Sequence, residues 1–203
     1  MGIINSVEER ILRLYLRDIL LNVSIMQIMK MIKSNSYSRT HEAVNRLVVR
    51  NILVKNDIGN TSLIRLNNSR EAVLWMGFME ELNTNYIPLY YRIIGIEELS
   101  DYLLVITGSH AKRTHSARSD VDLAIIVPDH EDITAIHKIT VNRTMLWKPK
   151  MHVHVLRKKD FTDMLLYDHD NFGKEMARHK IILKNARIYY ELVLGAINHG
   201  YKG

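Results

Sequence analysis

Two aspartates at alternate positions, Asp120 and Asp122, begin an apolar run that extends to residue 127. Alternate side chains of a β-strand share a face, so both carboxylates point the same way while Val121 and Leu123 are buried on the opposite face. Two carboxylates this close repel each other unless a cation neutralises them, and oxygen ligands suit Mg²⁺ and Mn²⁺. The spacing therefore predicts a site for one of these divalent metals.

A glycine and a serine, Gly108 and Ser109, separate this run from an earlier apolar run at residues 102–106. Gly108 permits a tight turn and lets a ligand approach the backbone closely. The Ser109 hydroxyl and the exposed N–H groups of such a turn are suited to binding a phosphate. The turn and the aspartates together predict a site for a metal-bound nucleotide.

Two segments around these residues resemble the signature of the polymerase-β-like nucleotidyltransferases, in particular their minimal stand-alone branch: Gly108-Ser109-His110-Ala111-Lys112 and Ser119-Asp120-Val121-Asp122-Leu123. The resemblance covers roughly residues 85–200. It implies a mixed sheet flanked by helices, and transfer of a nucleoside monophosphate from a nucleoside triphosphate, for which we expect ATP. It assigns nucleotide binding to Gly108, Ser109, Lys112 and Ser119. It assigns metal binding and catalysis to Asp120 and Asp122.

Two positions depart from the pattern of that family. Arg113 stands where a glycine is usual after the basic residue, and His152 and His154 stand on the strand where a third metal carboxylate is expected. A neutral imidazole favours softer ions than Mg²⁺ and adds no negative charge, which argues against phosphoryl transfer but not against the fold. Asp160 could replace the missing acid only if that strand ended early.

The excess positive charge of the chain is confined to its first third. Residues 1–70 contain eleven Lys and Arg but five Asp and Glu, whereas the remaining residues contain seventeen of each. The whole net charge of +6 therefore falls in residues 1–70. Such an asymmetry predicts a polyanionic partner for this part of the chain.

The composition also bears on location. The chain has no cysteine, which excludes disulfides and thiolate metal sites and favours a cytoplasmic protein. We expect neither a signal peptide nor contact with a membrane, because no apolar run has the length of a membrane span.

Residues 1–68 are predicted to form three helices followed by a hairpin. Ser6 and Glu9 have the spacing of a capping box for the first helix, and Ser24 can cap the second. The third helix is predicted at residues 38–50, where Ala43, Val44 and Leu47 have the spacing of an inward face. After it, strands at residues 52–55 and 62–66 are predicted to flank a turn at residues 56–60.

This order of elements resembles the winged helix-turn-helix transcription regulators, which implies double-stranded DNA as a partner. In such modules the third helix enters the major groove and flanking cations bind phosphates. The residues expected to reach base edges are Ser38, Arg39, Thr40, Glu42 and Asn45. Those expected to reach phosphates are Arg46, Arg50, Lys55 and Arg65. The alternative is that this module mediates dimerisation or protein contact.

The chain is therefore predicted to be an α+β protein: a winged helix-turn-helix at residues 1–68, a connecting helix at 69–84, and a nucleotidyltransferase-fold domain at 85–203. The connecting helix, capped by Ser69, is too apolar to be free, so we expect it to pack between the domains or in a homodimer. The second domain is predicted to contain a helix at 89–99, strands at 102–106, 121–127 and 151–156, and a basic loop at 157–159.

Two functions remain open from the sequence. In the first, the protein binds DNA and a metal-bound nucleoside triphosphate, and transfers a nucleoside monophosphate to a partner protein, a small molecule or an RNA end. In the second, it is a transcriptional regulator whose nucleotidyltransferase-like domain is inactive and acts as a nucleotide sensor or dimerisation body. Asp120 and Asp122 favour the first function, and His152 favours the second.

Overall fold

The computed structural model describes residues 4–59, 61–81 and 87–203, and the chain divides into two compact units, Met1–Met79 and Glu80–Gly203. The helices are α1 (Ser6–Arg17), α2 (Ile25–Met31), α3 (Tyr37–Val49), α4 (Arg70–Glu81), α5 (Tyr90–Ile94), α6 (Gly108–Lys112), α7 (Ile133–Thr144), α8 (Lys158–Leu166), α9 (Phe172–Arg178) and α10 (Ala186–Asn198). The strands are β1 (Asn22–Ser24), β2 (Leu53–Ile58), β3 (Thr61–Leu66), β4 (Leu103–Thr107), β5 (Val121–Val127), β6 (Met151–Arg157) and β7 (Ile181–Lys184).

The first unit packs its helices around an antiparallel sheet with the strand order β1-β3-β2. Its core contains the fully buried side chains of Ile11, Tyr15 and Leu47. The Tyr15 hydroxyl donates a hydrogen bond to the Ile64 carbonyl oxygen at 3.1 Å and so connects α1 to β3. Burial raises the pKa of Tyr15, which therefore stays protonated and keeps this hydrogen bond at neutral pH.

The N-terminus of α1 is capped one residue earlier than predicted. Asn5, not Ser6, is the N-cap, and its side chain accepts hydrogen bonds from the backbone N–H groups of Val7 and Glu8. The prediction that Glu9 completes the capping box is wrong, because the Glu8 carboxylate accepts from the Asn5 N–H at 3.1 Å. The prediction that Ser24 caps α2 is confirmed.

Helix α3 begins at Tyr37, after the N-cap Ser36, and its predicted inward face is confirmed, since Ala43, Val44 and Leu47 are fully buried. The expectation that Thr40 faces outward is wrong. Thr40 is fully buried, and its hydroxyl donates to the Ser36 carbonyl oxygen at 2.9 Å. A threonine in the first turn of a helix commonly makes this local hydrogen bond, which removes it from any surface.

The hairpin is tighter than predicted. Residues 56–58, expected in the turn, continue β2 and pair with β3, so that Ile58 lies opposite Thr61. Gly59 has a φ of +57°, which suits a two-residue connection between antiparallel strands. Asn60, the other connecting residue, lies outside the described residues.

The second unit contains a mixed sheet with the strand order β6-β5-β4-β7. β5 runs parallel to β6 and antiparallel to β4, and β4 is antiparallel to β7. All five residues of β4 are buried, and Val121 and Leu123 of β5 are fully buried as predicted. Helix α7 connects β5 to β6, as a parallel pair requires, and packs against β6.

Two predicted elements of this unit differ from the structure. The helix expected at residues 89–99 is broken: α5 ends at Ile94, Gly95 follows, and a single 3₁₀ turn covers Glu97–Leu99. The basic loop expected at residues 157–159 is instead the end of β6 and the start of α8. The Arg157 N–H donates to the Asp160 carboxylate at 3.3 Å, so Asp160 caps α8 and does not replace a metal ligand.

Helix α4 is capped by Ser69, whose hydroxyl accepts from the Ala72 N–H at 3.0 Å. The helix is described as far as Glu81, and the last part of the predicted connecting helix, residues 82–84, lies outside the described residues. The division into domains 1–68, 69–84 and 85–203 stays a prediction. No helix in the described part of the chain is both long and apolar enough to cross a membrane.

Candidate active site

The candidate site lies where β4 ends, α6 begins and β5 starts. Gly108 directly follows β4 and Asp120 directly precedes β5, so antiparallel pairing of these strands brings the Gly-Ser turn to the aspartates. β6 lies on the other side of β5, with His152 in register with Asp122. The residues that the sequence predicted as a site are therefore brought together at one end of the sheet.

The imidazole of His152 lies between the two carboxylates. Its Nε2 is 3.3 Å from an oxygen of Asp120, and its Nδ1 is 3.4 Å from an oxygen of Asp122. All three side chains are partly open to solvent, with His152 60% exposed and Asp122 27% exposed. The position expected for a third metal carboxylate is thus occupied by a neutral or cationic ring in contact with both acids.

Gly108 is packed closely against the Asp122 carboxylate. Its φ is +63°, in the left-handed region, and a Cβ atom at this position would lie 2.0 Å from an Asp122 oxygen. The backbone conformation favours glycine, and any larger residue would displace the Asp122 carboxylate. The turn holds the carboxylate in place from the side of β4.

Lys112, at the end of α6, makes an ion pair with Glu175 of α9, with 2.6 Å between Nζ and Oε1. The two side chains border a cavity of about 510 Å³ that is also lined by Phe172 and Arg178. Glu175 was missed by the sequence reasoning, because nothing in the local pattern of α9 relates it to α6. Its carboxylate competes with any phosphate for Lys112.

Ser119, which is predicted to bind nucleotide, lies in the loop that leads into β5. Its hydroxyl accepts a hydrogen bond from the Ser116 N–H at 2.9 Å and lies 3.3 Å from the Ser116 hydroxyl. The structure therefore shows Ser119 closing a tight turn one residue before Asp120. No side-chain hydrogen bond or ion pair involves Ser109 in the described residues, so its hydroxyl is available to a ligand.

Arg113, which stands at the glycine position of the family pattern, ends α6 in the left-handed conformation with a φ of 58°. The turn therefore has the conformation that glycine favours, and Arg113 tolerates it. His110, on the same helix, is almost completely buried, and its ring stacks on His115 with 4.2 Å between centroids. Burial lowers the pKa of His110, and His115 lowers it further, against smaller opposing effects of the Ser119 backbone and Asp122.

The donor atoms fit a divalent cation in their chemistry, with two carboxylates and one imidazole beside each other. As they stand, the two ring nitrogens of His152 each contact a different carboxylate, so the three side chains do not converge on one point. Consistent with this, no group of three His, Asp or Glu among the described residues is already arranged around a metal position. Because His152 is largely exposed, its ring can turn without disturbing the core.

The comparison with protein families gives the site an independent interpretation. Residues 95–190 match the family model for a nucleotidyltransferase domain. The match spans α6, β5 and β6, and thus includes every residue of the candidate site. Nucleotidyltransferase domains generally use a nucleoside triphosphate and a divalent metal, and transfer of a nucleoside monophosphate is their general reaction. No curated protein and no solved structure matched the chain.

The residues predicted to bind DNA lie in the first unit, outside the segment 95–190 that matches the family model, and many have partners there. Arg46 and Arg50 both pair with Glu8, at 2.6 and 3.2 Å. The remaining contacts are Ser38 with Glu42, Asn45 with His41, Lys55 with Asp57, and Arg65 with the Leu66 carbonyl oxygen. Arg39 is exposed on α3, and no ion pair of its guanidinium occurs among the described residues.

Proposed function

We propose that the second unit transfers a nucleoside monophosphate from a nucleoside triphosphate, with ATP as the expected donor, to a hydroxyl group. The observation that carries this proposal is the pair Asp120 and Asp122, held on one face of β5 by Gly108 within a segment that matches nucleotidyltransferase domains. Among the described residues, only His152 makes an ion pair with these two carboxylates, so their charge is not balanced and a cation can bind there.

In the proposed reaction, the acceptor oxygen forms a bond to the α-phosphorus. The bond from that phosphorus to the oxygen that bridges the α- and β-phosphates breaks. Pyrophosphate leaves, and the hydroxyl proton is released to water. A divalent cation, Mg²⁺ or Mn²⁺, would supply charge neutralisation for the phosphates, held by Asp120 and Asp122 with His152 as the third donor.

The other residues of the site bind and orient the triphosphate. The Ser109 hydroxyl donates a hydrogen bond to a phosphate oxygen. Lys112 leaves its ion pair with Glu175 and pairs with the triphosphate, where its positive charge stabilises the negative charge of the leaving pyrophosphate. Gly108 keeps the Asp122 carboxylate in position. This exchange by Lys112 requires only a side-chain rotation, since both partners of the ion pair are partly exposed.

The test is incubation of the protein with α-³²P-labelled and, separately, γ-³²P-labelled ATP, Mn²⁺ or Mg²⁺, and a cell extract as the source of acceptors. We expect label from the α position to become attached to an acceptor and pyrophosphate to be released, both lost in Asp122→Asn. Transfer of the γ label instead would contradict the proposal, because it would identify a phosphotransferase. Binding of ATP without transfer of either label would favour the alternative, a nucleotide-sensing regulator.

We also propose that the first unit is a winged helix-turn-helix that binds double-stranded DNA. This proposal is supported by the net charge of +6 in residues 1–70 and by the chain order α1-β1-α2-α3-β2-β3 with β1 on the antiparallel sheet. Arg39 is the cation of α3 best placed to contact DNA. Arg46 and Arg50, which pair with Glu8, are better suited to hold α3 against α1.

A homodimer formed through α4 is part of the same proposal. Phe78 of this helix is 53% exposed and makes an edge-to-face contact with Trp75, at 6.0 Å between ring centroids. An exposed phenylalanine beside a partly buried tryptophan, on a helix whose other face is buried, is typical of an interface.

A further inference from the structure

The short helix α6 borders a cavity on each of two sides. Lys112 lines the polar cavity that includes Glu175, whereas His110 lines a second cavity of about 500 Å³. Side chains two positions apart on a helix point in nearly opposite directions, so the two cavities lie on opposite sides of α6. The second cavity therefore shares no lining residue with the cavity beside Lys112.

The side chain of His110 borders the second cavity. His110 is 4% exposed, and among the described residues its two ring nitrogens make no hydrogen bond of good geometry, although the Ser119 backbone interacts with the ring. A neutral imidazole carries one donor and one acceptor, and leaving both buried and unpaired is unfavourable. Both nitrogens are buried as the ring stands, so a polar group of a ligand in the cavity would reach one of them only after a small rotation of the His110 ring.

The walls of this cavity define the chemistry of that ligand. Ile87 and Pro88 provide an apolar side, and His115 lies flat against His110. Arg113 also lines the cavity, and its guanidinium makes no ion pair in the part of the chain that the structure describes. An unpaired guanidinium attracts a carboxylate or phosphate, while the apolar side favours a hydrocarbon or aromatic body.

We infer that the cavity between His110, Arg113 and Ile87–Pro88 binds a small organic anion, in which an apolar body carries a carboxylate or phosphate. The anionic group pairs with Arg113, a polar atom of the ligand contacts His110, and the apolar body lies against Ile87 and Pro88. This site goes beyond the proposed nucleotide transfer and does not rest on it, since neither nucleotide nor metal takes part in binding.

The test uses four probes on the full-length protein without nucleotide or metal: phenyl phosphate, benzoate, inorganic phosphate and phenol. Binding is followed by NMR through the ring C–H signals of His110 and His115, assigned with His115→Phe. We expect phenyl phosphate or benzoate to bind about tenfold more tightly than inorganic phosphate or phenol, since only these two combine charge with an apolar body. Whichever of these two probes binds more tightly shows whether the site prefers a phosphate or a carboxylate.

Arg113→Gln should weaken binding of the preferred probe about tenfold, through loss of a charge-assisted hydrogen bond. Because Arg113 is exposed, this variant leaves the core unchanged and should fold. Arg118→Gln, an equally exposed arginine of the same loop that does not line the cavity, is the matched control and should bind like the wild type.

Three results would overturn the inference. The first is equal affinity for inorganic phosphate and for both aromatic anions, and the second is an Arg113→Gln variant that binds the preferred probe as tightly as Arg118→Gln. The third is displacement of the aromatic anion by ATP, which would make the cavity part of the nucleotide site. Failure of nucleotide transfer would change none of these measurements.

Discussion

At the scale of single residues, we predict that His152 determines which divalent metal the proposed site prefers. An imidazole in place of a carboxylate favours Mn²⁺ over Mg²⁺, because a nitrogen ligand binds the transition-metal ion Mn²⁺ more strongly than it binds Mg²⁺. We predict that His152→Asp lowers the ratio of Mn²⁺ to Mg²⁺ affinity about tenfold, measured by calorimetric titration of each metal.

His154→Asp is the control for this prediction. It adds the same charge two positions further along β6, where the His154 ring is beside Phe172, with 4.9 Å between ring centroids, and not beside the aspartates. An unchanged metal ratio in His152→Asp, or an equal change in His154→Asp, would show that the imidazole does not determine the choice of metal.

A second residue-scale prediction concerns Gly108. Gly108→Ala should abolish binding of metal-bound nucleotide and lower the free energy of unfolding by more than about 1–2 kcal/mol, because it combines a left-handed backbone with a contact of 2.0 Å to Asp122. Gly195→Ala in α10 is the matched control. A Cβ there meets no atom within 4 Å, so we expect that variant to be more stable by roughly 0.5–1 kcal/mol. If Gly108→Ala were as stable as the wild-type protein and bound nucleotide equally well, the close contact between Gly108 and Asp122 would be contradicted.

At the scale of elements, α1 and α3 are joined by the buried carboxylate of Glu8. It is 1% exposed and pairs with Arg46 and Arg50, which are themselves partly exposed. We predict that Glu8→Gln lowers the free energy of unfolding of the first unit by about 2 kcal/mol, measured by urea denaturation.

Glu9→Gln is the control for this element, since Glu9 makes an exposed pair with Arg13 one turn along α1. Such surface pairs contribute about 0–1 kcal/mol, so this variant should unfold close to the wild type. Equal stability of the Glu8 and Glu9 variants would mean that the buried Glu8 carboxylate does not stabilise the packing of α3 against α1.

The elements also show which features the sequence could predict. The sequence predicted that Asp120, Asp122 and Gly108 lie together, because they are close in the chain and occupy a turn and the start of the strand that follows. The alternation of side chains along the later strand also drew attention to His152, at the position where a third acid was expected. Glu8 and Glu175 were missed because their partners are far away in the chain and come close only through packing. Thr40 was assigned to the surface from polarity alone, although its hydroxyl is satisfied within its own helix.

At the scale of the whole molecule, the charge of residues 1–70 predicts salt-dependent binding to DNA. The logarithm of the affinity should fall linearly with the logarithm of the salt concentration, and Arg39→Ala should reduce the magnitude of the slope by about 1, measured by gel shift over a salt series. Arg13→Ala, which removes the same charge from α1, is the control. Absence of DNA binding at low salt would refute the proposed role of the first unit.

The measurement that tests the central claim most directly is calorimetric titration of ATP, with saturating Mn²⁺ or Mg²⁺, into the wild-type protein and into Asp122→Asn. The account predicts saturable, metal-dependent binding to the wild type, and its loss in the variant because one of the two carboxylates that hold the metal is neutralised. Circular dichroism of the variant is the control that it is folded. Equal binding by both proteins, or no binding of any nucleoside triphosphate by the wild type with either metal, would contradict a working metal-nucleotide site.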